Sequence, residues 1–206
     1  MQNKKVIVMY RLFFVLTCLS GIILGLLDKS SDSFMGNGTA LNFYTLQSNI
    51  WVLVLEAYLL FKAFFDVLWE NKSHEDKKSN FEANLALESA SPWNDAVLKY
   101  VFTVSIILTY LVYWFMIAPF LKVGYVFKPV NFLLHGTTPI MMFLDFVLLD
   151  RDKKIPKRAL ILAPIPALYY FIFALVRAEV SSITLTLGSR YPYWFMDVDI
   201  FRMVGK

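Results

Sequence analysis

The sequence is poor in the residues that form disulfides and metal sites. Its 206 residues include one cysteine, Cys18, and two histidines. A single cysteine excludes a disulfide within the chain, and zinc sites usually need three or four clustered ligands. We therefore expect no intrachain disulfide and no bound metal, and no motif indicates a cofactor.

Charged residues are also scarce. They make up 17% of the chain, whereas 58% is hydrophobic. The lysines and arginines behind the net charge of +4 fall in short loops, with no basic stripe interleaved with aromatic residues, so they do not indicate a nucleic-acid partner. The apolar runs are long enough to cross about 30 Å of hydrocarbon. The composition therefore predicts an integral membrane protein.

Five apolar runs predict an all-α fold, a polytopic transmembrane helix bundle. They cover residues 6–27, 41–65, 96–120, 128–149 and 159–176. The first run resembles the start of a signal peptide, but it is too long and lacks a cleavage pattern, so we expect a retained anchor. Ser91 followed by Pro92 is typical of a helix start, which predicts Ser91 as the N-cap of the third span.

The whole chain, residues 1–206, is expected to form one integral membrane domain. Residues 66–95 form a polar loop of mixed charge, and residues 177–206 form an aromatic tail. Lysine and arginine are concentrated at the N-terminus, in the long loop and before the fifth span. The positive-inside rule then predicts a multi-pass protein of the cell membrane with a cytoplasmic N-terminus, a cytoplasmic long loop and an extracytoplasmic tail. Residues 200–204 are consistent with the beginning of a sixth span.

Polar residues inside two predicted spans follow helical spacing. The fourth span carries five residues within an arc of about 80°: Asn131, His135, Thr138, Met142 and Asp145. The second span carries four on one face: Thr45, Asn49, Val52 and Glu56. Because polar groups inside a bilayer are costly unless they are paired, we expect these two faces to meet.

The polar residues form two groups at different depths. From a rise of about 1.5 Å per residue, Thr45 and His135 lie about 6 and 10 Å below the outer boundary. The inner group contains Arg11, Glu56 and Asp145, which we predict to form an ionic cluster joining three helices. A cluster in which opposite charges neutralise each other can be explained by its structural role alone and does not imply catalysis.

The outer group has two interpretations. Serine, threonine, asparagine and histidine commonly join membrane helices through hydrogen bonds. A histidine can also accept and return a proton near neutral pH, and a threonine hydroxyl beside such a base can act as a nucleophile. Spacing alone leaves both interpretations open for Thr45 and His135.

Three stretches of the sequence carry a resemblance to membrane proteins: FYTLQSN, HGTTPIMMFLD and YPYWFMD. Together they resemble an uncharacterised group of bacterial six-span membrane proteins, whose pattern continues into another span after the aromatic segment. More distantly, the chain is similar to the family of the androgen-induced protein and the androgen-dependent TFPI-regulating protein, multi-span hydrolases of fatty acid esters of hydroxy fatty acids. The resemblance implies an intramembrane threonine and histidine as catalytic residues, here Thr45 and His135.

With the resemblance, we expect a hydrolase that cleaves a membrane lipid or lipid-like ester near the outer leaflet. His135 would take the proton of Thr45 Oγ1, which attacks the carbonyl to form an acyl-threonine that water then releases. Five residues are candidates to hold the oxyanion or support the site: Gln47, Ser48, Asn49, Asn131 and Thr138. The outer group contains no carboxylate, which predicts slow turnover or an amide in the third position of the triad.

Two alternatives are open. A noncatalytic lipid-binding protein would keep the cavity and tolerate Thr45→Ala. A transporter would use Glu56 and Asp145 as alternately protonated groups, typically in broken spans arranged as repeats, but the sequence shows no repeat. The aromatic tail also has two interpretations, as a cover over the site or as an interfacial anchor; its residues are Tyr191, Pro192, Tyr193 and Trp194.

Overall fold

The computed structural model describes residues 4–28, 39–69, 94–149, 155–181, 183–185 and 189–198. These residues form helices and short connections, with no β-strand among them. The helices are α1 (Lys4–Leu27), α2 (Tyr44–Trp69), α3 (Asp95–Leu111), α4 (Val123–Val126), α5 (Pro129–Phe132), α6 (Thr138–Leu149), α7 (Arg158–Leu162) and α8 (Ile165–Val180). The predicted all-α fold is confirmed.

Two of the long helical segments contain π-helical turns. Helix α3 continues through the π turn Val112–Ile117 and the 3-10 turn Ala118–Phe120. The π turn Leu133–Thr137 joins α5 to α6. π turns are rare and occur frequently at functional sites. The part of the bundle around these two turns is therefore a candidate for the functional site.

Among the described residues, four helical segments are long and apolar enough to cross a membrane: Lys4–Leu27, Asp95–Phe120, Pro129–Leu149 and Arg158–Val180. They correspond to the first, third, fourth and fifth predicted spans. Prolines interrupt the last segment, since α7 ends at Leu162 and α8 begins at Ile165. Helix α2, with 26 residues, covers the second predicted span. The count of five spans stays a prediction.

Several predicted boundaries are wrong. Helix α2 begins at Tyr44 and continues to Trp69, into the predicted loop. The N-cap of α3 is Asn94, whose Oδ1 accepts a hydrogen bond from Val97 N at 2.9 Å; asparagine caps a helix as well as serine does. Helix α8 runs to Val180, so the tail begins later than residue 177. Ser91, most of the long loop and residues 200–204 lie outside the described residues.

The bundle is built on neighbouring helices. Helix α1 packs against α2, α2 against α3, and α3 against α6, while the π turn before α6 also contacts α1 and α2. Gly21 on α1 permits this close approach, because a Cβ there would lie 3.0 Å from Leu134 Cδ2 and 3.1 Å from Leu133 Cβ. The core between these helices is apolar, and it includes Phe14, Leu46, Val52, Ile106 and Met142.

A buried ionic cluster joins the helices at one end of the bundle. Arg11 Nε lies 3.6 Å from Asp145 Oδ1, and Lys99 is paired with the same carboxylate. Glu56 is fully buried. Two of the three predicted members, Arg11 and Asp145, are thus paired and Lys99 joins them, while the place of Glu56 in the cluster stays a prediction. We call Arg11, Lys99 and Asp145 the inner ionic cluster.

Candidate functional site

The two predicted polar faces are buried and meet each other. All of the polar residues predicted for the outer part of these faces are at most 4% exposed: Thr45, Asn49, Asn131, His135 and Thr138. Asn49 Nδ2 donates to Thr45 O at 2.8 Å within α2 and to Leu134 O at 3.2 Å on the facing segment. The prediction that the second and fourth spans face each other is therefore confirmed.

Thr45 and His135 line the same cavity. Its volume is about 640 Å³, a size typical of small-molecule sites. Much of the wall is apolar and comes from the end of the third span, for example Met116, Ile117 and Phe120. Asn131 also lines this cavity, which we call the large cavity. The structure thus brings together three of the polar residues expected at the site.

The other four supporting candidates do not line the large cavity. Gln47 Nε2 donates to Leu41 O at 2.8 Å, and the Ser48 hydroxyl hydrogen-bonds with Thr109 Oγ1 at 2.9 Å. Thr138 Oγ1 is buried beside the Cys18 thiol. The structure therefore places these side chains, and that of Asn49, in helix packing and outside the wall of the large cavity.

The imidazole of His135 is held by stacking on an aromatic ring. The ring centroids of His135 and Tyr113 are 3.7 Å apart, and the planes differ by 7°. The two rings come from the two π turns, so both turns shape this contact. Trp114 Nε1 donates to His135 O at 2.9 Å, whereas His135 Nδ1 has no hydrogen-bond partner in the described part of the chain. Such a nitrogen can form a hydrogen bond with a ligand or accept a proton.

Thr45 lies in the first turn of α2, next to Tyr193 of the tail. The Tyr193 hydroxyl lies within hydrogen-bonding reach of the Thr45 and Tyr170 side chains and of the backbone N–H groups of Tyr44 and Thr45. Burial raises the pKa of Tyr193, and hydrogen bonding with these groups offsets part of that rise. First-turn N–H groups have no partner within their own helix, so the phenol oxygen lies where these donors converge.

The proposed catalytic pair is not joined directly. Within the described residues, no hydrogen bond connects Thr45 Oγ1 with the imidazole of His135, and the threonine hydroxyl instead contacts Tyr193. Both side chains face one cavity, but proton transfer between them has no direct path in this arrangement.

The aromatic tail forms one wall of the large cavity, through Tyr191, Pro192, Tyr193 and Trp194. Hydrogen bonds fasten it to the end of α8. Arg177 Nη1 donates to Arg190 O at 2.7 Å, and Arg190 Nη1 donates to Ala178 O at 3.3 Å. Ser189 Oγ donates to Asp197 Oδ2 at 2.8 Å within the tail. These positions agree with the interpretation of the tail as a cover.

A second cavity, of about 220 Å³, adjoins the first, and we call it the small cavity. Four residues line both cavities: Thr45, Tyr113, Ile117 and Tyr193. The rest of the small cavity includes Leu108 from α3 and Ala167 and Phe171 from α8, whereas His135 lines only the large cavity. Thr45 therefore lies at the junction of the two cavities.

Comparisons with known proteins do not assign a family. The chain matches no family model, no curated protein and no solved structure. The fold alone defines the class, a helical bundle with four segments able to cross a membrane by length and composition. The resemblance to the androgen-induced protein family, and the residue roles that it implies, stay predictions.

Proposed function

We propose that this chain is a multi-pass protein of the cell membrane that hydrolyses a lipid-like ester, with Thr45 as nucleophile and His135 as general base. The observation that carries the proposal is that both side chains line one largely apolar cavity of about 640 Å³. Such a cavity suits alkyl chains, while its few polar groups suit an ester. With the N-terminus cytoplasmic, the cavity opens toward the outer leaflet.

The proposed reaction has two stages. His135 takes the proton of Thr45 Oγ1 as this oxygen attacks the ester carbonyl, and the alcohol then leaves with that proton, so that an acyl-threonine forms. Water gives a proton to His135 and attacks the acyl group, which releases the acid and restores the Thr45 hydroxyl. Because the two side chains are not hydrogen-bonded, the first transfer requires a bridging water or a closer approach when substrate binds.

The proposed oxyanion donors are the backbone N–H groups of Tyr44 and Thr45. Their convergence on the Tyr193 hydroxyl supports this role, since the oxygen of a bound ester would take the place of the phenol oxygen. The first turn of a long helix also carries partial positive charge, which favours a negative oxygen. Asn131 Nδ2 donates one hydrogen to Tyr125 O at 2.7 Å, and an amide nitrogen has a second hydrogen for a ligand.

Hydrolysis of a fatty acid ester of a hydroxy fatty acid by purified protein in micelles tests the proposal. We expect activity in the wild type and its loss in Thr45→Ala and His135→Gln. Thr103→Ala is the matched control, because Thr103 is a buried hydroxyl that lines neither cavity and donates to Lys99 O within α3. Thermal unfolding of each variant separates loss of activity from loss of fold. Undiminished activity in folded Thr45→Ala would overturn the proposed nucleophile.

One observation favours noncatalytic lipid binding by the same cavity, namely that the Thr45 hydroxyl contacts Tyr193 and not His135. A binding protein would show no turnover in the wild type and would keep its lipid affinity in Thr45→Ala. The transporter alternative has less support, because the Asp145 carboxylate is held in ion pairs with Arg11 and Lys99.

A further inference from the structure

We infer that the ester is bound with its acyl chain in the small cavity and its alcohol portion in the large cavity, which makes the site selective for acyl chains of medium length. This inference rests on the proposed hydrolase function. Thr45 lines both cavities, so an ester whose carbonyl carbon meets Thr45 Oγ1 has one limb on each side.

The position of His135 decides which limb lies on which side. His135 lines the large cavity and not the small one. In acyl transfer the departing alcohol receives its proton from the base, and the incoming water gives its proton to the same base. Both the alcohol and the water therefore belong in the large cavity. The acyl group, which stays bonded to Thr45 until water releases it, belongs in the small cavity.

The volumes set the chain lengths. A methylene group takes about the volume of a water molecule in the liquid, about 30 Å³. On this scale the small cavity, at about 220 Å³, holds about seven carbon atoms, and the large cavity, at about 640 Å³, holds about twenty. A longer acyl chain would have to leave the small cavity or displace its walls.

The walls also differ in charge. Among the described residues no charged side chain lines the small cavity, whose apolar wall includes Leu108, Val112, Ala167 and Phe171. Such walls accept an alkyl chain and disfavour a chain that ends in a carboxylate. Asn131, Ser189 and Asp197 line the large cavity and offer hydrogen-bonding partners to a polar alcohol. The substrate class is therefore an ester between a medium-length acid and a larger, amphiphilic alcohol.

A series of esters with one alcohol and acyl chains from acetyl to palmitoyl tests this assignment. We expect kcat/KM to rise to a chain of about seven carbons and then to fall. Ala167→Leu narrows the small cavity and keeps a good helix former. It should lower kcat/KM for the octanoyl ester by about tenfold relative to kcat/KM for the acetyl ester.

Met116→Phe is the matched control in the wall of the large cavity. It should change the tolerance for the size of the alcohol and leave the acyl optimum where it is. If instead Met116→Phe shifts the acyl optimum and Ala167→Leu shifts the alcohol preference, the two limbs are bound the other way round and the assignment is wrong.

Binding of saturated carboxylic acids provides a readout that needs no catalysis. These acids are product analogues, and quenching of the intrinsic tryptophan fluorescence reports their affinity. The carboxylic acid that binds most tightly should have a shorter chain in Ala167→Leu than in the wild type. If esters are hydrolysed but neither readout shifts in this variant, the limb assignment fails and the hydrolase proposal stands. If no ester is hydrolysed while the acid optimum shifts, the hydrolase proposal fails and the small cavity still holds the alkyl chain.

Discussion

The hydroxyl of Tyr193 takes the position that the proposed mechanism gives to a substrate oxygen. Tyr193→Phe removes this oxygen and keeps the ring. We expect kcat/KM for ester hydrolysis to rise, because the N–H groups of Tyr44 and Thr45 no longer have to release the phenol oxygen before they bind the substrate oxygen. The free energy of unfolding should fall by about 1 kcal/mol through the lost hydrogen bonds. A fall in kcat/KM would instead indicate that the phenol itself donates to the oxyanion.

The ring of Tyr113 sets the orientation of the proposed base. Tyr113→Phe keeps the ring stacked on His135 and loses only a 3.4 Å hydrogen bond to Val126 O, so activity should stay close to that of the wild type. Tyr113→Leu removes the ring, and kcat should fall by about tenfold to a hundredfold as the imidazole loses its position. The NMR shift of the His135 ring protons, which Tyr113 influences through its ring current, should move in the leucine variant alone.

Lys99 stabilises the inner ionic cluster through a pair that is almost fully buried. Lys99→Met leaves the Asp145 carboxylate with one cation fewer, and removing one partner of a buried pair typically costs about 3–5 kcal/mol. Lys62→Met is the control, since Lys62 Nζ lies 2.6 Å from Asp95 Oδ2 but its side chain is 42% exposed. This variant should lose less than about 1 kcal/mol. Equal losses in unfolding experiments would contradict a special role for the buried pair.

Helical spacing predicts which polar residues are buried, but not what each of them contacts. Thr45 and His135 could be identified because they recur on faces with a period of 3.6 residues. Tyr193 could not, since its contact with Thr45 depends on a tail far away in sequence folding back onto α2. Lys99 could have been predicted, because it is a cation just inside the third predicted span, near the expected depth of Asp145.

At the level of elements, the π turns are the features that an α-helical pattern does not reveal. Five residues of the fourth span were predicted to share one face, and all five are buried. The turn Leu133–Thr137 nevertheless interrupts that helix, and the turn Val112–Ile117 interrupts the third. Hydrophobic periodicity continues through both turns, and it is Pro119 and Pro139, each two residues beyond a turn, that mark the irregularity in the sequence. The stacked pair of Tyr113 and His135 arises from this irregular geometry.

The contact between α1 and the π turn before α6 depends on Gly21. Gly21→Ala would place a Cβ 3.1 Å from Leu133 Cβ, which cannot rotate away, and we expect a loss of about 1–3 kcal/mol in the free energy of unfolding. Gly136→Ala is the matched control, since a Cβ there meets nothing within 4 Å. Alanine should stabilise that position by up to about 1 kcal/mol through its higher helix propensity. Comparable destabilisation by both substitutions would argue against close packing at Gly21.

At the level of the whole molecule, composition and the length of the apolar runs were enough to predict an all-α bundle, because runs of about 20 residues suit helices, which satisfy their own backbone hydrogen bonds in lipid. Four segments able to span a membrane agree with that prediction. Orientation depends instead on the sparse lysines and arginines between the spans, several of which lie outside the described residues. The orientation of the chain also decides which leaflet supplies the proposed substrate, and it can be measured directly.

The orientation of the chain in the membrane can be measured with two cysteine variants, Lys122→Cys and Lys157→Cys. Both positions are exposed, and the segment Pro129–Leu149 separates them along the chain. The native Cys18 is fully buried and should add little background labelling. Because basic residues concentrate beside Lys157, we expect a membrane-impermeant maleimide to label Lys122→Cys in intact cells and Lys157→Cys only after permeabilisation. The opposite pattern would place the N-terminus outside, and the two cavities at Thr45 would then draw their ester from the inner leaflet with the same residues.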